Sequence, residues 1–471
     1  MRIAIVGTGY VGLVSAACFA KAGHHVTCVD IDSVKISLLS EGRIPIYEPG
    51  LAEVVAERGV RKRLAFTSDA AVAALTCEII FLAVGTPARR SDGHADLSQV
   101  FAAVETLAPS LQSGAVLVTK STVPVGTGDE IEHLVRNLRP ELDFEVASNP
   151  EFLRAGRAIE DFVRPDRVVI GAQQQRAADL LVRLYRSVGI ERIRILLTDR
   201  RSAELIKYAA NGFLATKIAF INEVANLCEK VDARIGDVAS GIGLDGRIGM
   251  HYLQPGPGFG GSCFPKDARA LVKMGEDHEA PMRIIETVLA SNDARKRAMA
   301  RKVAGLQGGS LRGKTFALLG LTFKAGTDDM RDAVSIPLAQ TLIDAGSLVK
   351  AYDPVATDRA RGILPARVRY CTSALDAAHG ADAIVIATEW DEFRGLDFQQ
   401  LKARMRTPTI VDLRNLLSET EVRANGFRYV GIGSADRPPS DRPAVAPQPR
   451  SWKRRSGLRS QVEEETITAA E

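Results

Sequence analysis

The sequence has few features of a disulfide-stapled, metal-binding or membrane protein. No two of its six cysteines have the spacing of a metal-ligand pair or of a disulfide framework. They are Cys18, Cys28, Cys77, Cys228, Cys263 and Cys371. No run approaches the ~20 apolar residues that a membrane helix needs, and the apolar run after Met1 ends at Gly7, too early for a signal peptide. We therefore expect a reduced, cytoplasmic protein without a bound metal.

An excess of charge of one sign is also missing. The formal net charge is +4 over 471 residues, which indicates neither a nucleic-acid partner nor a membrane surface. Apolar residues make up 46% and charged residues 25%, as in ordinary soluble globular proteins. At roughly 100–200 residues per domain, the length suggests about three domains.

Short apolar runs alternate with helix-like segments in the first 150 residues and again after residue 306. Runs of this kind suit parallel strands that are buried on both faces. We expect strands at Ile3–Val6, His25–Asp30, Ile79–Val84, Val116–Lys120, Phe144–Ala147, Thr315–Leu319, Leu348–Asp353, Ala383–Ala387 and Thr409–Asp412. The alternation predicts an α/β fold with two doubly wound, Rossmann-like domains.

A long helical region separates the two alternating parts. It runs without proline from Ser202 to about Val231 and is mostly apolar, which favours burial between domains or in an oligomer interface. A second helix is expected over about Pro281–Val303. We predict domains at 1–200, 201–305 and 306–433. The proline-rich and basic residues 434–471 are expected to form a disordered tail.

The amino terminus contains a dinucleotide-binding fingerprint. The first expected strand leads directly into Gly7-x-Gly9-x-x-Gly12 and then a helix. The three glycines permit a tight turn, a close approach of a pyrophosphate and close helix–strand packing. Asp30 follows the second strand and would accept hydrogen bonds from a ribose while repelling a 2′-phosphate, so NAD is favoured over NADP. Lys35 is either a second ribose contact or a solvated lysine.

Two further loops follow strands at the same carboxyl edge, where ligands of open α/β sheets bind. They carry Thr86 and Thr122. Each threonine is either a cofactor contact or, on position alone, a helix cap.

Two further segments carry charged and amide groups, and the first of them delivers its carboxylate to this edge. Glu151 follows Asn149-Pro150 at a strand end, where it is either a reactive carboxylate or a helix cap. Lys207 and Asn211 are four residues apart on the long helix and share one face. They are suited to stabilise an oxyanion, unless Lys207 simply pairs with Glu204.

Cys263 is the candidate nucleophile. It follows the Gly/Pro-rich loop 254–261 and begins an expected helix. The helix terminus and the nearby Lys266 should favour its thiolate; the alternative is a buried packing cysteine. In the second half, Lys324 and Arg331 lie where a fingerprint would be but without its glycines, and they could neutralise phosphates or be solvated.

Together these segments resemble the nucleotide-sugar dehydrogenases of the UDP-glucose/GDP-mannose dehydrogenase family over about residues 1–433. The matching segments are Gly7–Gly12, Ile46–Leu51, Ser121–Val125, Asn149–Leu153, Lys207 with Asn211, Gly258–Asp267 and Gly320–Arg331. The resemblance implies two Rossmann-like domains joined by a central helix that forms a dimer interface. It also implies oxidation of a sugar C6 alcohol to a carboxylate in two NAD-dependent steps, and the Cys263 run is most similar to the group that acts on UDP-glucose.

The resemblance also implies roles for individual residues. Catalysis is expected from Cys263 as nucleophile, Lys207 and Asn211 at the oxyanion, Asp267 positioning water, Glu151 as base for thioester hydrolysis, and Thr122. NAD contacts are expected from Gly7, Gly9, Tyr10, Val11, Gly12, Asp30, Lys35, Thr86, Thr122, Lys266 and Arg331. Substrate contacts are expected from Glu151, Phe152, Leu153, Lys207, Asn211, Arg247, Tyr252, Leu253, Gln254, Pro255, Gly256, Gly260, Phe323, Lys324 and Arg414. Of these, Arg247 is expected to reach the sugar of a neighbouring subunit in a homodimer or larger homo-oligomer.

One position departs from the family pattern, since Ala155 stands where the family commonly has a glutamate near NAD. The chemistry should survive this change because Glu151 remains. Three alternatives stay open: a dehydrogenase for GDP-mannose or UDP-N-acetylmannosamine, a one-step 3-hydroxyacid dehydrogenase, and a non-catalytic nucleotide sensor.

Overall fold

The computed structural model describes residues 1–89, 92–305 and 310–434. Within these ranges the first sheet contains eight strands in the order β3-β2-β1-β4-β5-β6-β7-β8. Their bounds are β1 Arg2–Val6, β2 His25–Val29, β3 Leu64–Thr67, β4 Ile79–Leu82, β5 Ala115–Thr119, β6 Phe144–Ser148, β7 Val168–Ala172 and β8 Ile195–Thr198. The predicted tail lies outside the described residues from position 435 onward.

The first six strands are parallel, and β7 and β8 run in the reverse direction. β6 and β7 pair only through Ala147 with Ala172 and Ser148 with Gly171. The reversed pair therefore extends past the end of β6. Since Thr198 is level with Gly171, β8 ends beside the carboxyl edge of the parallel strands.

Helices cover both faces of this sheet. They are α1 Tyr10–Lys21, α2 Ser33–Ser40, α3 Leu51–Ala56, α4 Arg58–Arg61, α5 Ala70–Thr76, α6 Ser98–Leu107, α7 Thr127–Leu138, α8 Ala158–Val163 and α9 Gln175–Ser187. Alternate residues of β1 explain the arrangement, because Ile3 and Ile5 pack in one core while Ala4 and Val6 pack in the other. Burial of each large apolar side chain contributes about 1.5–3 kcal/mol, so neither face of this sheet can be left open.

The second sheet is entirely parallel among the residues described, in the order β11-β10-β9-β12-β13-β14. Its strands are β9 Thr315–Leu319, β10 Leu348–Tyr352, β11 Arg369–Tyr370, β12 Ala383–Ile386, β13 Thr409–Asp412 and β14 Arg428–Val430. Its helices are α14 Ser335–Asp344, α15 Thr357–Ala360, α16 Ala374–Ala378, α17 Phe398–Arg404 and α18 Glu419–Ala424. The two sheets confirm the predicted pair of Rossmann-like units.

Four helices lie between the sheets in sequence: α10 Arg200–Val231, α11 Ile235–Gly243, α12 Phe264–Asp277 and α13 Arg283–Gly305. The 32-residue α10 is the expected long helix. Its first turn is fixed by Arg200, whose guanidinium pairs at 2.6 Å with both Asp129 and Glu132. At Gly171 the Ala203 Cβ lies only 2.5 Å from where a Cβ would stand, so α10 packs directly on β7.

The nine predicted strands are all present, each within two residues of its expected bounds. Five strands were missed: β3, β7, β8, β11 and β14. β3 and β11 are half-buried or exposed, β11 has only two residues, and β14 has three, so their apolar signal is weak.

Among the helices of the described residues, none combines the length and the apolar composition that crossing a membrane requires.

Candidate active site

The glycine fingerprint forms a tight turn between β1 and α1. Gly7 has φ +100°, and a Cβ there would lie 2.6 Å from the carbonyl oxygen of Ala83. A Cβ at Gly12 would lie 1.9 Å from the carbonyl oxygen of Gly7, whereas one at Gly9 would meet nothing within 4 Å. The space beside Gly9, at the N-terminus of α1, therefore fits a phosphate group. Tyr10 and Val11 begin α1 and are half-buried.

Asp30 lies at the end of β2 and organises the neighbouring part of this edge. Its Oδ2 accepts hydrogen bonds from Thr8 N at 2.9 Å, Thr8 Oγ1 at 2.6 Å and Lys35 Nζ at 3.0 Å. Burial raises the pKa of Asp30, but the hydrogen bonds from Thr8, Asp32 and Lys35 outweigh it and the net shift is downward. Asp30 is thus held as a carboxylate, which suits a ribose diol. Lys35 is therefore paired with Asp30 and is not the freely solvated lysine of the alternative prediction.

The loops after β4 and β5 meet at the same edge. Thr86 Oγ1 donates to the Thr122 carbonyl oxygen at 2.8 Å, and Ser121 Oγ donates to the Val84 carbonyl oxygen at 2.7 Å. Neither threonine caps a helix, because α6 begins at Ser98 and the α7 cap is Gly126. Both remain available as cofactor contacts.

Lys207 is buried against Glu151. The ammonium donates to the Glu151 carbonyl oxygen at 2.6 Å and to Oε1 at 3.1 Å, and both side chains are less than a tenth exposed. Burial lowers the pKa of Lys207, but the charges of Glu151, Cys263 and Asp267 raise it by more, so the lysine is held protonated. Glu204 instead accepts hydrogen bonds from Gly126 and Gly128 N, which removes the alternative pairing with Lys207.

Glu151 does not cap a helix. Its Oε2 accepts a hydrogen bond from Leu153 N at 2.6 Å, within a short turn in which Phe152 and Leu153 are half-buried. The next helix, α8, begins only at Ala158. The capping alternative is therefore wrong, and Glu151 is a carboxylate fixed between its own turn and Lys207.

Cys263 lies at the N-terminus of α12, as expected. Burial is the main cause that raises the pKa of its thiol, and Glu151 and Asp267 raise it further. Lys207 acts in the opposite direction. The prediction that Lys266 favours the thiolate is wrong, because Lys266 Nζ lies 2.6 Å from Asp267 Oδ1 and forms an ion pair there. The cation that opposes the raised pKa comes from the long helix instead.

Asn211 and Asp267 form the other half of the cluster. Asn211 Nδ2 donates to Asp267 Oδ2 at 2.6 Å, and Asp267 is 1% exposed. Asn211 lies one turn from Lys207 on the same face of α10, as predicted. The following Gly212 has a packing reason, since a Cβ there would lie 3.1 Å from Leu271 and 3.2 Å from Ile285.

The glycine-rich loop connects the helical layer with the second sheet. Gly256 N donates to Asn222 Oδ1 at 2.8 Å, and Gly261 N donates to the Arg331 carbonyl oxygen at 2.7 Å. A Cβ at Gly260 would lie 2.5 Å from the Asp332 carbonyl oxygen. Gly260 therefore serves packing of the loop against the second domain.

The second domain contributes cations to the same cleft. Arg414 Nη2 donates to the Phe323 carbonyl oxygen at 2.6 Å, and Lys324 Nζ lies 5.7 Å from the centre of the Phe323 ring. Burial lowers the pKa of Lys324, opposed by Glu389. Arg331 is held by Asp329 through hydrogen bonds of 2.9 and 2.8 Å, and the charge of Cys263 acts on it.

The remaining predicted substrate residues fall into two groups. Phe152 lies between two cations, with the Arg167 guanidinium 3.6 Å and Lys207 Nζ 5.2 Å from its ring centre. In the loop that carries the other predicted contacts, Tyr252 and Pro255 are half-buried, Leu253 is buried and Gln254 is exposed. Arg247 is not brought to this cleft: its side chain is 90% exposed and pairs with Asp245 at 2.6 Å. At the departure from the family pattern, Ala155 supplies no polar side chain.

Two buried charged residues at this edge were missed. Lys120 follows β5 and donates to Asn149 Oδ1 at 3.0 Å and to Tyr185 OH at 3.1 Å. Glu48 accepts hydrogen bonds from Tyr10 OH and from the amides of residues 156 and 158. The signal for Lys120 was a lysine ending an otherwise apolar strand. Glu48 lies within the matching segment Ile46–Leu51, to which no chemistry was given.

This fold and cleft define a protein with two Rossmann-type domains and a dinucleotide site on the first. Residues 1–189, 201–294 and 317–419 match three family models: the NAD binding domain, the central domain and the UDP binding domain of the UDP-glucose/GDP-mannose dehydrogenase family. The chain belongs to that family, and its cofactor is NAD. In the described residues no group of three or more His, Cys, Asp or Glu side chains could hold a metal ion.

Individual relatives agree with this assignment. The chain is 55% identical over 438 residues to UDP-glucose 6-dehydrogenase of Rhizobium meliloti (strain 1021), covering 93% of this chain and 100% of that protein. It resembles the structure of a UDP-glucose dehydrogenase from Pyrobaculum islandicum, with TM-score 0.84, 38% identity and coverage of 92% and 98%. A UDP-D-ManNAc dehydrogenase structure from Pyrococcus horikoshii gives TM-score 0.80 at 30% identity, with coverage of 93% and 100%.

Proposed function

We propose that this chain oxidises UDP-glucose to UDP-glucuronate, a four-electron reaction in two NAD-dependent steps. The observation that carries the proposal is the buried cluster in which the Lys207 ammonium contacts Glu151 while its charge acts on the Cys263 thiol. A one-step alcohol oxidation needs no cysteine beside such a lysine. The 55% identical relative is named UDP-glucose 6-dehydrogenase.

In the first oxidation, the C6 alcohol loses a hydride and its proton and becomes an aldehyde. NAD, when bound, accepts the hydride at each of the two steps. Residues Lys207 and Asn211 stabilise the developing oxyanion with an ammonium and an amide donor, and Asp267 holds the water that takes the alcohol proton. Because these groups are buried, their charges act on the substrate with little screening by solvent.

In the second oxidation, the Cys263 thiolate adds to the aldehyde carbon and forms a thiohemiacetal. This adduct can lose a second hydride, which a free aldehyde cannot do, and it becomes a thioester. Water then attacks the thioester with Glu151 as general base. The carbon–sulfur bond breaks, the acid leaves and the thiol is regenerated.

Further residues of the chain bind NAD and the nucleotide sugar and assemble the subunits. Thr86, Thr122, Lys266 and Arg331 contact NAD, and Phe152, Leu153 and residues 252–256 form the sugar side of the cleft. Lys324 and Arg414 of region 306–433 hold the uridine diphosphate. Region 201–305 forms a cytoplasmic homodimer or larger homo-oligomer, in which Arg247 reaches the sugar bound by a neighbouring subunit.

Replacement of Cys263 tests the covalent mechanism. Cys263→Ala should lower UDP-glucuronate formation by on the order of 10³-fold or more, as for other removed nucleophiles, while NAD and UDP-glucose still bind. Cys263→Ser should accumulate a slowly hydrolysed sugar ester, which mass spectrometry of the peptide carrying residue 263 detects. Cys371→Ala, a buried cysteine in the second domain, is the matched control. Near-normal acid formation by Cys263→Ala would refute the covalent route.

A second candidate is another nucleotide sugar, which the likeness to the Pyrococcus horikoshii enzyme favours. A panel of UDP- and GDP-sugars, scored by NADH formed per sugar consumed, separates the candidates. UDP-glucose should give two NADH per molecule and the highest kcat/KM. A yield of one would indicate a one-step dehydrogenase, and no turnover with any sugar would leave a nucleotide sensor.

A further inference from the structure

Glu48 joins α1 to the residues just before α8 through its two carboxylate oxygens. Oε2 accepts hydrogen bonds from Tyr10 OH at 2.6 Å and Gly156 N at 2.6 Å, and Oε1 accepts one from Ala158 N at 2.7 Å. The side chain is 6% exposed. Tyr10 is the first residue of the fingerprint helix α1, and its hydroxyl also lies 3.1 Å from the Arg154 carbonyl oxygen.

The segment held by Glu48 continues directly from the reactive turn. It follows Glu151–Leu153 by one to five residues and ends at α8, whose first amide is the one that Glu48 accepts. Gly156 has φ +82°, and a Cβ there would lie 2.8 Å from the carbonyl oxygen of Gly326 in the second domain. The backbone at Gly156 is therefore the place where this segment touches the domain that carries Lys324.

We propose that Glu48 is a positioning residue that fixes the segment 154–158 between the cofactor helix and the second domain. The hydrogen bonds described for it go to Tyr10 and to this segment, and none of them goes to Cys263. A carboxylate serves here because three donors, one from α1 and two from the segment, converge on it, and an amide side chain offers only one acceptor atom. The charge of Glu48 also acts on Lys324, which places it at the junction of both domains.

The proposal rests on the proposed function for its kinetic readout, so one measurement without substrate accompanies it. Glu48→Gln leaves the amides of Gly156 and Ala158 competing for one oxygen. Hydrogen–deuterium exchange of the peptide spanning residues 153–160 should then be at least about fivefold faster than in the wild type. Glu53→Gln, an exposed glutamate on α3, is the matched control and should leave exchange unchanged.

Kinetics separate positioning from simple loss of structure. In Glu48→Gln, kcat should fall about 10–100-fold, because a misplacement of about 1 Å costs that much, while KM for NAD and for UDP-glucose changes less than about threefold. Glu48→Asp should recover part of kcat. Tyr10→Phe should lower kcat less, and its combination with Glu48→Gln should be no worse than Glu48→Gln alone, since both remove the same contact.

Hydrogen exchange and kinetics each test the positioning role of Glu48 independently. Unchanged exchange at 153–160 in a folded Glu48→Gln protein, or kcat within twofold of the wild type, would overturn the positioning role. Should Glu48→Gln not fold, unchanged exchange at 153–160 in Glu48→Asp, whose shorter side chain withdraws the carboxylate from both amides, would overturn it in the same way. Faster exchange in either variant together with a wild type that does not oxidise UDP-glucose would support the positioning role and refute the proposed function.

Discussion

Replacement of Lys120 tests the electrostatics beneath the reactive turn. Its ammonium is 4% exposed, hydrogen-bonded to Asn149 and Tyr185, and 5.8 Å from the centres of the Phe81 and Tyr185 rings. Burial lowers its pKa to about 8; the Glu151 charge opposes this and the Lys207 charge adds to it. Lys120→Met removes the charge, and Asn149 Oδ1 keeps a hydrogen bond from Tyr185.

The effect on the free energy of unfolding follows from the pKa of Lys120. A fall from the ordinary 10.5 to about 8 corresponds to about 3 kcal/mol. Below pH 8 the lysine is protonated in both the folded and unfolded chains, so the wild type bears the whole cost of burying the charge. Between pH 8 and 10.5 the folded chain releases the proton while the unfolded chain keeps it, so the free energy of unfolding rises with pH. Above pH 10.5 the cost is absent.

Urea unfolding followed by circular dichroism at pH 7 and pH 10 measures this effect. From pH 7 to pH 10 the wild type should gain about 2–3 kcal/mol of stability relative to Lys120→Met. Loss of the hydrogen bonds to Asn149 and Tyr185, each worth about 1 kcal/mol, lowers the stability of the variant at both pH values. The test therefore compares the change with pH in the two proteins. Lys62→Met, an exposed lysine, should show no such change. Equal pH dependence in the wild type and Lys120→Met would refute the reasoning.

Two further predictions concern the cofactor edge and the end of the chain. Asp30→Ala should weaken NAD binding about 10–100-fold through loss of charge-assisted hydrogen bonds and relax discrimination against NADP. Calorimetric titration with both dinucleotides checks this. Unchanged NAD affinity together with retained rejection of NADP would contradict the placement of the ribose at Asp30. Removal of the residues after Gly433 should leave folding and turnover intact, because Gly433 itself already docks through Glu229 and Ile235. Loss of soluble, active protein on truncation would show that the removed segment is needed.

Local features of the fold and site were predictable from sequence, and long-range contacts were not. The turn at Gly7, the acid at Asp30 and the face shared by Lys207 and Asn211 depend on neighbours within one element. The contact of Lys207 with Glu151 joins residues 56 apart, and no periodicity encodes it. Only the resemblance to the nucleotide-sugar dehydrogenases predicted that Lys207 and Glu151 lie in one site.

Cys263 and Glu48 show why other features of the site could not be predicted from the sequence. The position of Cys263 at a helix start was readable, yet the cation whose charge acts on its thiol was misassigned, because that depends on how α10 packs on α12. No role was predicted for Glu48, because its donors lie 38 to 110 residues away in the sequence and leave no local pattern.

The uninterrupted run of α10 from Arg200 through Lys207 and Asn211 restricts which insertions and deletions the chain can accept. One residue added between Arg201 and Ile206 would advance both functional side chains by about 1.5 Å and turn them by about 100° around the axis. The ammonium and the amide would leave the cleft together, while the apolar stripe of the helix would turn to solvent. Length changes should therefore be tolerated better in the turn between α10 and α11, after Val231, and a graft or fusion into this helical region belongs at that turn.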